Sequence, residues 1–460
     1  MRAKLWQLLE DLNDSFWLRP ALMVVSAGVL ATSLVGAEGQ GLFAPHFITA
    51  WLYSGGETGA RTLLGAIAGS TIGVAGTVFS ITIATLTLAS NQLGPRLLRN
   101  FTRDRGNQAT LGMYLGTFVY ALLVLRSVRG TDEGAFVPHL AITGAVVLAL
   151  ACVAMLIYFV HHIASRINAD TVIDLVYRDL RDTLLEITTS TPPPATESEI
   201  LWSNGAPVDM EHSGFLQQLD ETFIADWAAE RAVSVRLHAR VGVFLFPGTR
   251  IATVVPPRAD AARVVRSALA LGAYPTSSMD IEYSVTQLTD IAIRALSPGI
   301  NDPNTAIRAV DRLGAALCVL AGRHLPSGII VRQGLVVFER DTTTYAGLMD
   351  AMFHTIRQSA EHSPSVLIHL LEVLGKVAEC EHWLPRVVEL DRHAGLILAD
   401  GLRTIQNIAD RETLTGRLAD LSRTLAASRM MSCSASADES APAARETRQL
   451  DRLGAASGTI

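Results

Sequence analysis

Residues 62 to 95 read TLLGAIAGSTIGVAGTVFSITIATLTLASNQLGP, a stretch of 34 residues without a formal charge. As an α-helix this stretch would be about 50 Å long, whereas about 20 residues are enough to cross a bilayer. It therefore predicts a helix that spans a membrane and continues beyond it. No other part of the chain combines this length with so many Thr, Ser and Gly residues.

One face of the predicted helix consists of small and polar residues. They follow each other at spacings of three and four, which places them on one helical stripe while the rest of the circumference is mostly apolar. We name them the polar stripe: Ser70, Gly73, Thr77, Ser80, Ala84, Thr87 and Asn91. Two interpretations stay open, because such a face either lines a path for small ions or solutes or packs closely against another helix.

Composition indicates a membrane protein and argues against two other classes. Of 460 residues, 49% are hydrophobic and only 18% are charged, which is typical of chains with membrane spans. The four cysteines, at 152, 318, 380 and 433, have no ligand spacing and predict single buried thiols. A net charge of -6 without a basic, aromatic-rich patch excludes nucleic acid as an expected partner.

Uncharged runs predict four transmembrane helices in the first third of the chain, at about 18–37, 62–92, 109–126 and 140–160. Basic residues gather before the first span, between the second and third spans and after the fourth. By the positive-inside rule this predicts a multi-pass protein of the bacterial inner membrane with both termini in the cytoplasm. The connection after the second span supplies a candidate charged vestibule, formed by Arg96, Arg99, Arg103 and Arg105.

The remaining sequence predicts a cytoplasmic α+β domain that is mainly helical. The expected organisation is a transmembrane domain at 1–160, a helical stalk continuing span four at 161–190, a linker at 191–210, the α+β domain at 211–428 and a disordered tail at 429–460. Within the domain the pattern predicts helices over 214–230 and 260–271, and a β-hairpin about the Pro247-Gly248 turn.

The segment QLTDIAIRALSPGINDPNTAIRAV, residues 287 to 310, is the most distinctive stretch outside the spans. Asp302 is suited to cap a helix that begins at Pro303, which predicts a helix-turn-helix corner. The alternative is a contact with a ligand, an ion or another subunit. The residues concerned are Gln287, Asp290, Arg294, Ser297, Asn301, Asp302 and Thr305.

The sequence offers no convincing active site, metal site or cofactor motif. No nucleophile elbow, Walker loop or dinucleotide glycine pattern is present, and the histidines lack metal-ligand spacing. His161 and His162 follow the fourth span, where their charge is expected to respond to pH. We therefore predict no catalytic residues, no metal and no cofactor.

Two long motifs, SITIATLTLASNQLGPRLLRNFTRDRGNQATLG and ALSPGINDPNTAI, resemble the bacterial family of predicted membrane proteins with domain of unknown function 2254. The resemblance extends to about residue 425 and implies a four-span membrane part followed by a cytoplasmic domain. It implies no catalytic residues, because the family has no established activity.

These observations support two functional hypotheses. In the first, the protein is a homo-oligomer in the lipid bilayer, and the polar stripe from several copies lines a path for a small ion or solute. In the second, it is a membrane-anchored sensing or scaffold module that binds a ligand through the 287–305 corner and conducts nothing. A membrane enzyme is the third and weakest reading, because it needs titratable groups converging in a cleft.

Overall fold

The computed structural model describes residues 16–40, 53–93, 104–130, 136–166, 169–192, 200–274 and 281–430. The described chain is mostly helical and falls into two compact units, divided between Val172 and Ile173. The first unit contains four long helices. They are α1 (Leu18–Gly39), α2 (Glu57–Leu93), α3 (Arg105–Ser127) and α4 (His139–Arg166).

All four helices of the first unit are long and apolar enough to cross a membrane, and the described residues contain four such candidates. The prediction of four apolar helices is therefore confirmed. Each helix extends beyond its predicted span by one or more residues at one or both ends, because polar and charged residues such as Glu57 and Arg105 join the first turns. Glu57 and Arg61 pair one turn apart at the start of α2, at 3.0 Å, as their spacing predicts.

Helix α3 packs against α1 on one side and against α2 and α4 on others. The contact between α1 and α3 is close: a Cβ on Gly112 would lie 3.1 Å from the Cα of Pro20. Small residues at such points let two helix backbones approach each other. Two tyrosines of α3 then tie it to α4, since Tyr114 Oη donates to the Cys152 carbonyl and Tyr120 Oη to the Ala141 carbonyl.

Helix α5 (Ala169–Ile187) begins three residues after α4 ends. Its apolar stripe is fully buried from Val176 through Leu180 to Leu184. The side chain of Arg323 secures its end by donating to the Leu185 and Thr188 carbonyls. These donors satisfy carbonyl groups that a helix end leaves without an intrahelical partner.

The second unit contains two small sheets flanked by helices. The strands are β1 (Ala206–Asp209), β2 (Gly214–Leu219), β3 (Ser234–Leu237), β4 (Phe244–Leu245), β5 (Arg250–Val255), β6 (Leu269–Gly272), β7 (Ile329–Arg332) and β8 (Leu335–Arg340). One sheet has the order β1-β5-β3-β8-β7 and the other β4-β2-β6. Pairing is antiparallel except between β3 and β8.

The remaining helices follow along the chain to the end of its described part. They are α6 (Glu221–Glu230), α7 (Ala261–Ser267), α8 (Ile281–Ala295), α9 (Pro303–Leu320), α10 (Tyr345–Met349), α11 (Thr355–Ser359), α12 (Pro364–Cys380), α13 (Leu384–Thr404) and α14 (408–430). A single π-helical turn, Asp350–His354, joins α10 to α11. The apolar core between the sheets and α6 includes Leu216, Ile224, Val235 and Phe338.

Three predictions about this unit are wrong. The run from Gly214 is first the strand β2, which ends at Leu219. The helix begins only after Asp220, which caps it by accepting from the Phe223 N–H. The predicted 260–271 helix also ends early and continues as β6. The two strands beside the Pro247-Gly248 turn do not form a hairpin, since β4 pairs with β2 while β5 pairs with β1 and β3.

Candidate functional site

Helix α2 has one face that packs inside its own unit. Most of the buried residues recur at spacings of three and four, like those of the polar stripe, but they lie on another side of the helix. They are Ala60, Leu64, Ile67, Ala68, Thr71, Ala75, Val78, Thr82 and Thr85. Ala75 and Val78 share an apolar cluster with Tyr114 of α3 and Phe159 of α4. This buried face also carries three threonines, so the hydroxyl groups of α2 are not confined to the polar stripe.

The polar stripe lies on the opposite, exposed side of α2. Its six members from Ser70 to Thr87 are all exposed, and a Cβ added to Gly73 would meet nothing within 4 Å. Asn91 belongs to α2, but its side chain lies outside the described part of the chain. The structure therefore places the six members on one continuous surface that no other described helix covers.

The hydroxyl groups of the polar stripe donate hydrogen bonds to carbonyls of their own helix. Thr77 Oγ1 donates to the Gly73 carbonyl at 3.3 Å, and Ser80 Oγ donates to the Gly76 carbonyl at 2.9 Å. Ser70 and Thr87 bond back in the same way, over three and four residues. Such bonds satisfy the hydroxyl donor inside an apolar medium, yet the oxygen keeps lone pairs that can accept from a second group.

The outward side of α4 is an apolar surface with which the exposed side of α2 can be compared. Its most exposed large side chains, between 58% and 70% exposed, are Val147, Leu150, Val153, Ile157 and Val160. The outward side of α2 instead mixes the polar stripe with apolar side chains such as Phe79 and Ile83, each 48% exposed. The exposed surface of α2 is thus the more polar of the two.

The predicted arginine vestibule falls mostly outside the described residues. Arg96, Arg99 and Arg103 lie there, while Arg105 is the exposed first residue of α3. Whether these four residues form a vestibule remains a prediction.

A polar cluster lies at the start of α3 and the end of α4. Asp104 caps α3 by accepting from the Gly106 N–H at 2.7 Å, and His162 Nε2 lies 2.8 Å from its Oδ2. Both side chains are shielded, with 4% and 14% of their surface exposed. Tyr158 stacks on the imidazole, with ring centroids 5.2 Å apart. A Cβ at Gly106 would come within 2.7 Å of His162 Nε2, so a side chain at this position would have to displace the imidazole.

Sequence reasoning singled out His162 but not its partner. Asp104 lies 58 positions away, and only the pairing of α3 with α4 brings the two together. A usable signal was present, since an Asp directly before an apolar helix is a typical N-cap. The next turn of α3 buries two further amides, Asn107 and Gln108, and within the described residues the Asn107 Oδ1 has no hydrogen-bond partner.

The 287–305 corner is the capped helix-turn-helix that its sequence predicts. Asp302 accepts from the Thr305 N–H at 3.2 Å and from its hydroxyl at 2.6 Å. The bond from the Thr305 hydroxyl is the main reason that the pKa of Asp302 lies below its usual value. Asn301 takes the left-handed conformation, with φ of 50°, and the Asp302 N–H returns to the Ala295 carbonyl.

The other members of the corner lie along α8 and in the turn that follows it. Gln287 is buried two turns earlier on α8, and Asp290 and Arg294 lie half-buried between them. Ser297 donates to the Arg294 carbonyl, and Asn301 is exposed. A ligand, ion or subunit contact at this corner stays a prediction.

Buried charges in the second unit link different elements. Arg386, in the first turn of α13, is only 6% exposed and pairs at 3.1 Å with Glu381, which lies between α12 and α13 and is 1% exposed. Its guanidinium also donates to the Leu320 and Arg323 carbonyls. Because Arg323 secures α5, these bonds connect the end of that helix to the core of the second unit.

A second buried group surrounds the π-helical turn. His393 of α13 is completely buried beside Asp350, with 3.2 Å between Nε2 and Oδ1. Burial lowers the pKa of His393 to about 4. Its Nδ1 has no hydrogen-bond partner among the described residues. Arg357 of α11 is also buried and pairs with Asp400.

The three described thiols are free, but only one of them is buried. Cys152 is buried as predicted, whereas Cys318 is half-buried and Cys380 is exposed. Burial raises the pKa of Cys318 to about 12. The prediction of single buried thiols is therefore wrong in burial for Cys318 and Cys380. Cys433 lies outside the described residues. Within the described ranges, no three His, Cys, Asp or Glu side chains are placed to hold a metal ion.

Comparison with known proteins adds a family but no activity. The family described as predicted membrane protein with domain of unknown function 2254 matches residues 13–376. Uncharacterised proteins of Mycobacterium tuberculosis, strains H37Rv and CDC 1551, and of Mycobacterium bovis are each 30% identical over 435 residues. The alignments cover 90% of this chain and 81% of each relative. No solved structure matches.

Proposed function

Because the chain belongs to the family of predicted membrane proteins with domain of unknown function 2254, we propose that it is an integral protein of the bacterial inner membrane that assembles with copies of itself. The exposed polar stripe of α2 from several copies then lines a path for a small ion or solute. A cytoplasmic domain, which follows a stalk and a linker, regulates this path. In this arrangement both termini lie in the cytoplasm.

The observation that carries the proposal is the exposure of the polar stripe in a single copy. Its side chains are small, so two such helices can approach closely, and close packing is the main attraction between helices in lipid. Hydroxyl groups gain no favourable contact from lipid tails, and the outward side of α4 is accordingly aliphatic. The stripe is therefore better matched to another α2 or to water than to lipid tails.

The stripe also has the chemistry that a path requires. Its hydroxyl oxygens retain acceptor capacity after donating to their own helix. Polar groups that line a pore must bind a permeant species weakly enough to release it, and single hydroxyls meet that condition. The arginines that follow the stripe in sequence favour an anion, so the permeant panel must include ions of both signs.

Flux through proteoliposomes tests the proposal. Purified protein is expected to conduct at least one of K⁺, Na⁺, H⁺ and Cl⁻, and Thr77→Leu and Ser80→Leu are each expected to abolish most of that flux while the oligomer still forms. Val147→Leu, on the exposed side of α4, is the matched control and leaves the flux unchanged. Absence of flux for every ion would overturn conduction and leave the sensing or scaffold module as the alternative.

A further inference from the structure

Helices α9 and α12 of the second unit pack side by side and run in the same direction. Near the start of their contact, His369 Nε2 of α12 lies 2.8 Å from Asp311 Oδ1 of α9. Further along both helices, a Cβ at Gly314 would clash with the Val373 side chain and would lie 3.9 Å from Val377 Cγ2. The missing side chain of Gly314 thus lets the two helices approach closely along one seam.

One turn later the same seam carries two cysteines. Cys318 follows Gly314 by four positions and Cys380 follows Val377 by three, and residues at these spacings share a face of a helix. Both thiols are free, and they form a hydrogen bond with each other. A disulfide requires Cα atoms within about 7 Å, and the close approach of the two helices at Gly314 favours such a distance.

The two thiols differ in access and in acidity. Cys380 is exposed, whereas Cys318 is half-buried. Burial is the main cause that raises the pKa of Cys318 to about 12, and the nearby charges of Glu379 and Glu381 add to it. Because the thiolate is the reactive form of cysteine, a dissolved oxidant reacts first at Cys380.

The cysteine pair lies beside the buried ion pair of this unit. Glu381, which directly follows Cys380, pairs with Arg386 at 3.1 Å. Arg386 also donates to the carbonyl of Leu320, two positions after Cys318. A bond between the two sulfurs would therefore join the same two helix ends that Arg386 already connects.

We propose that Cys318 and Cys380 form a reversible disulfide when a hydroperoxide oxidises them, and that this bond fastens α9 to α12 beside the Glu381–Arg386 pair. The proposal concerns the second unit alone and does not depend on conduction or on the polar stripe.

The oxidation proceeds in two balanced steps. The Cys380 thiolate attacks one oxygen of hydrogen peroxide and the O–O bond breaks, which leaves a sulfenic acid and a hydroxide that takes up the proton released by Cys380. The Cys318 sulfur then attacks the Cys380 sulfur, the S–O bond breaks, and the hydroxyl group leaves with the Cys318 proton as a second water. Two thiols thus reduce one peroxide to two waters, and a dithiol reductant reverses the bond.

Peptide mapping of the full-length protein tests this pairing. Cys318, Cys380 and Cys433 lie on separate tryptic peptides, which are residues 313–323, 377–386 and 430–445. After treatment with hydrogen peroxide and digestion without reductant, mass spectrometry is expected to find the first two peptides linked, and dithiothreitol should separate them. A link from Cys380 to Cys433 or to a second copy of Cys380 would overturn the proposal, as would the absence of any link.

A neighbouring cysteine provides the matched control. Val319 is half-buried like Cys318, but consecutive residues of a helix point about 100° apart. In a Cys318→Ser background, Val319→Cys should therefore link to Cys380 several-fold less than Cys318 does in the unchanged chain. Equal linking would show that chance encounters of mobile thiols, and not the seam, produce the disulfide.

Two single variants test the order of the steps. In Cys318→Ser the sulfenic acid at Cys380 has no partner, so labelling of Cys380 by dimedone after peroxide treatment should rise several-fold over the unchanged chain. In Cys380→Ser the thiol of Cys318 should stay reduced. Dimedone labelling of Cys318 in that variant, with none of Cys380 in the first, would overturn the assignment of Cys380 as the thiol that reacts first.

Resistance to a protease pulse tests the fastening of the two helices. Peroxide should raise the urea concentration at which half of the full-length protein is cleaved, because the disulfide restricts the unfolded chain. The same treatment should leave this midpoint unchanged in Cys318→Ser. A midpoint that stays constant or falls while the link between Cys318 and Cys380 forms would contradict the fastening.

Discussion

Helix α2 and the second unit use polar side chains in opposite ways. On α2, Ser70, Thr77 and Thr82 each donate to a carbonyl of their own helix. In the second unit, Arg323 and Arg386 donate to carbonyls of other elements and tie α5, α9 and α13 together. These hydroxyl bonds on α2 therefore do not join it to another helix, whereas the two arginines of the second unit join different elements to one another.

The two faces of α2 sharpen this contrast. Thr71 and Thr82 on the buried side make the same backbone bonds as Thr77 and Ser80 on the exposed side. Hydroxyl content alone thus does not decide which side packs inside the chain. Apolar neighbours such as Ala75 and Val78 decide it, because they fit the cluster formed by α3 and α4.

The largest effect is expected from breaking the buried ion pair of the second unit. Arg386→Met leaves the Glu381 carboxylate buried without its cation, which should cost about 3–5 kcal/mol. The fraction resistant to a protease pulse, followed against urea concentration, measures this loss. Arg178→Met is the control, because that arginine is 67% exposed in its pair with Asp174 and should cost less than about 1 kcal/mol. Equal losses of stability in the two variants would contradict the role of Arg386 in holding these elements together.

Acidification should destabilise the second unit through His393. Its pKa of about 4 in the folded state lies below the ordinary value of about 6.5, so the unfolded chain takes up the proton first. Stability therefore falls as the pH drops from 6.5 to 4, by up to about 1.4 kcal/mol per pH unit. The same urea assay at several pH values measures the slope. His393→Leu should flatten it, and an unchanged slope in this variant would contradict the assignment.

Matched substitutions on the two faces of α2 should separate folding from assembly. Ala75→Leu overpacks the buried cluster and should cost about 1–3 kcal/mol. Gly73→Leu adds its side chain where a Cβ meets nothing, so the fold of a single copy should not change while assembly weakens. Thermal unfolding in detergent and oligomer mass in lipid measure the two effects. A stability loss from Gly73→Leu as large as that from Ala75→Leu would contradict the exposed stripe.

The smallest effects should come from removing single hydroxyls. Tyr120→Phe removes a bond from α3 to the Ala141 carbonyl of α4 and should cost about 1 kcal/mol. Ser80→Ala removes only a bond within α2 and should change stability by less than about 0.5 kcal/mol. Thermal unfolding of both variants measures the difference. The reverse order would show that the stripe hydroxyls hold the subunit together.

Local features of the sequence predicted the local structure. Long uncharged runs predicted the four helices, because such runs are stable only when they are buried in protein or in lipid. Asp302 marked the start of α9 because the acceptor and its backbone donors lie within three residues of each other. The strands β7 and β8 coincide with short runs of Ile, Val and Leu, which are typical of strands.

Features that depend on partners far away in the sequence could not be predicted from local patterns. The strand at Gly214 pairs with Leu245 and with residues near 270, so its local helical pattern was overruled by tertiary pairing. The contacts of Asp104 with His162 and of Cys318 with Cys380 also join segments about 60 residues apart. The buried threonines of α2 were missed because one sequence does not show which side of an apolar helix its neighbours cover.

Disulfide cross-linking in native membranes tests the central claim most directly. In a cysteine-free background, Thr77→Cys and Ser80→Cys should each give covalent dimers on mild oxidation, because equivalent stripes of two copies would bring the cysteines within disulfide range. Leu150→Cys, 66% exposed on α4, should stay monomeric. Dimers at Leu150→Cys with none at either stripe position would contradict the claim that α2 of one copy faces α2 of another.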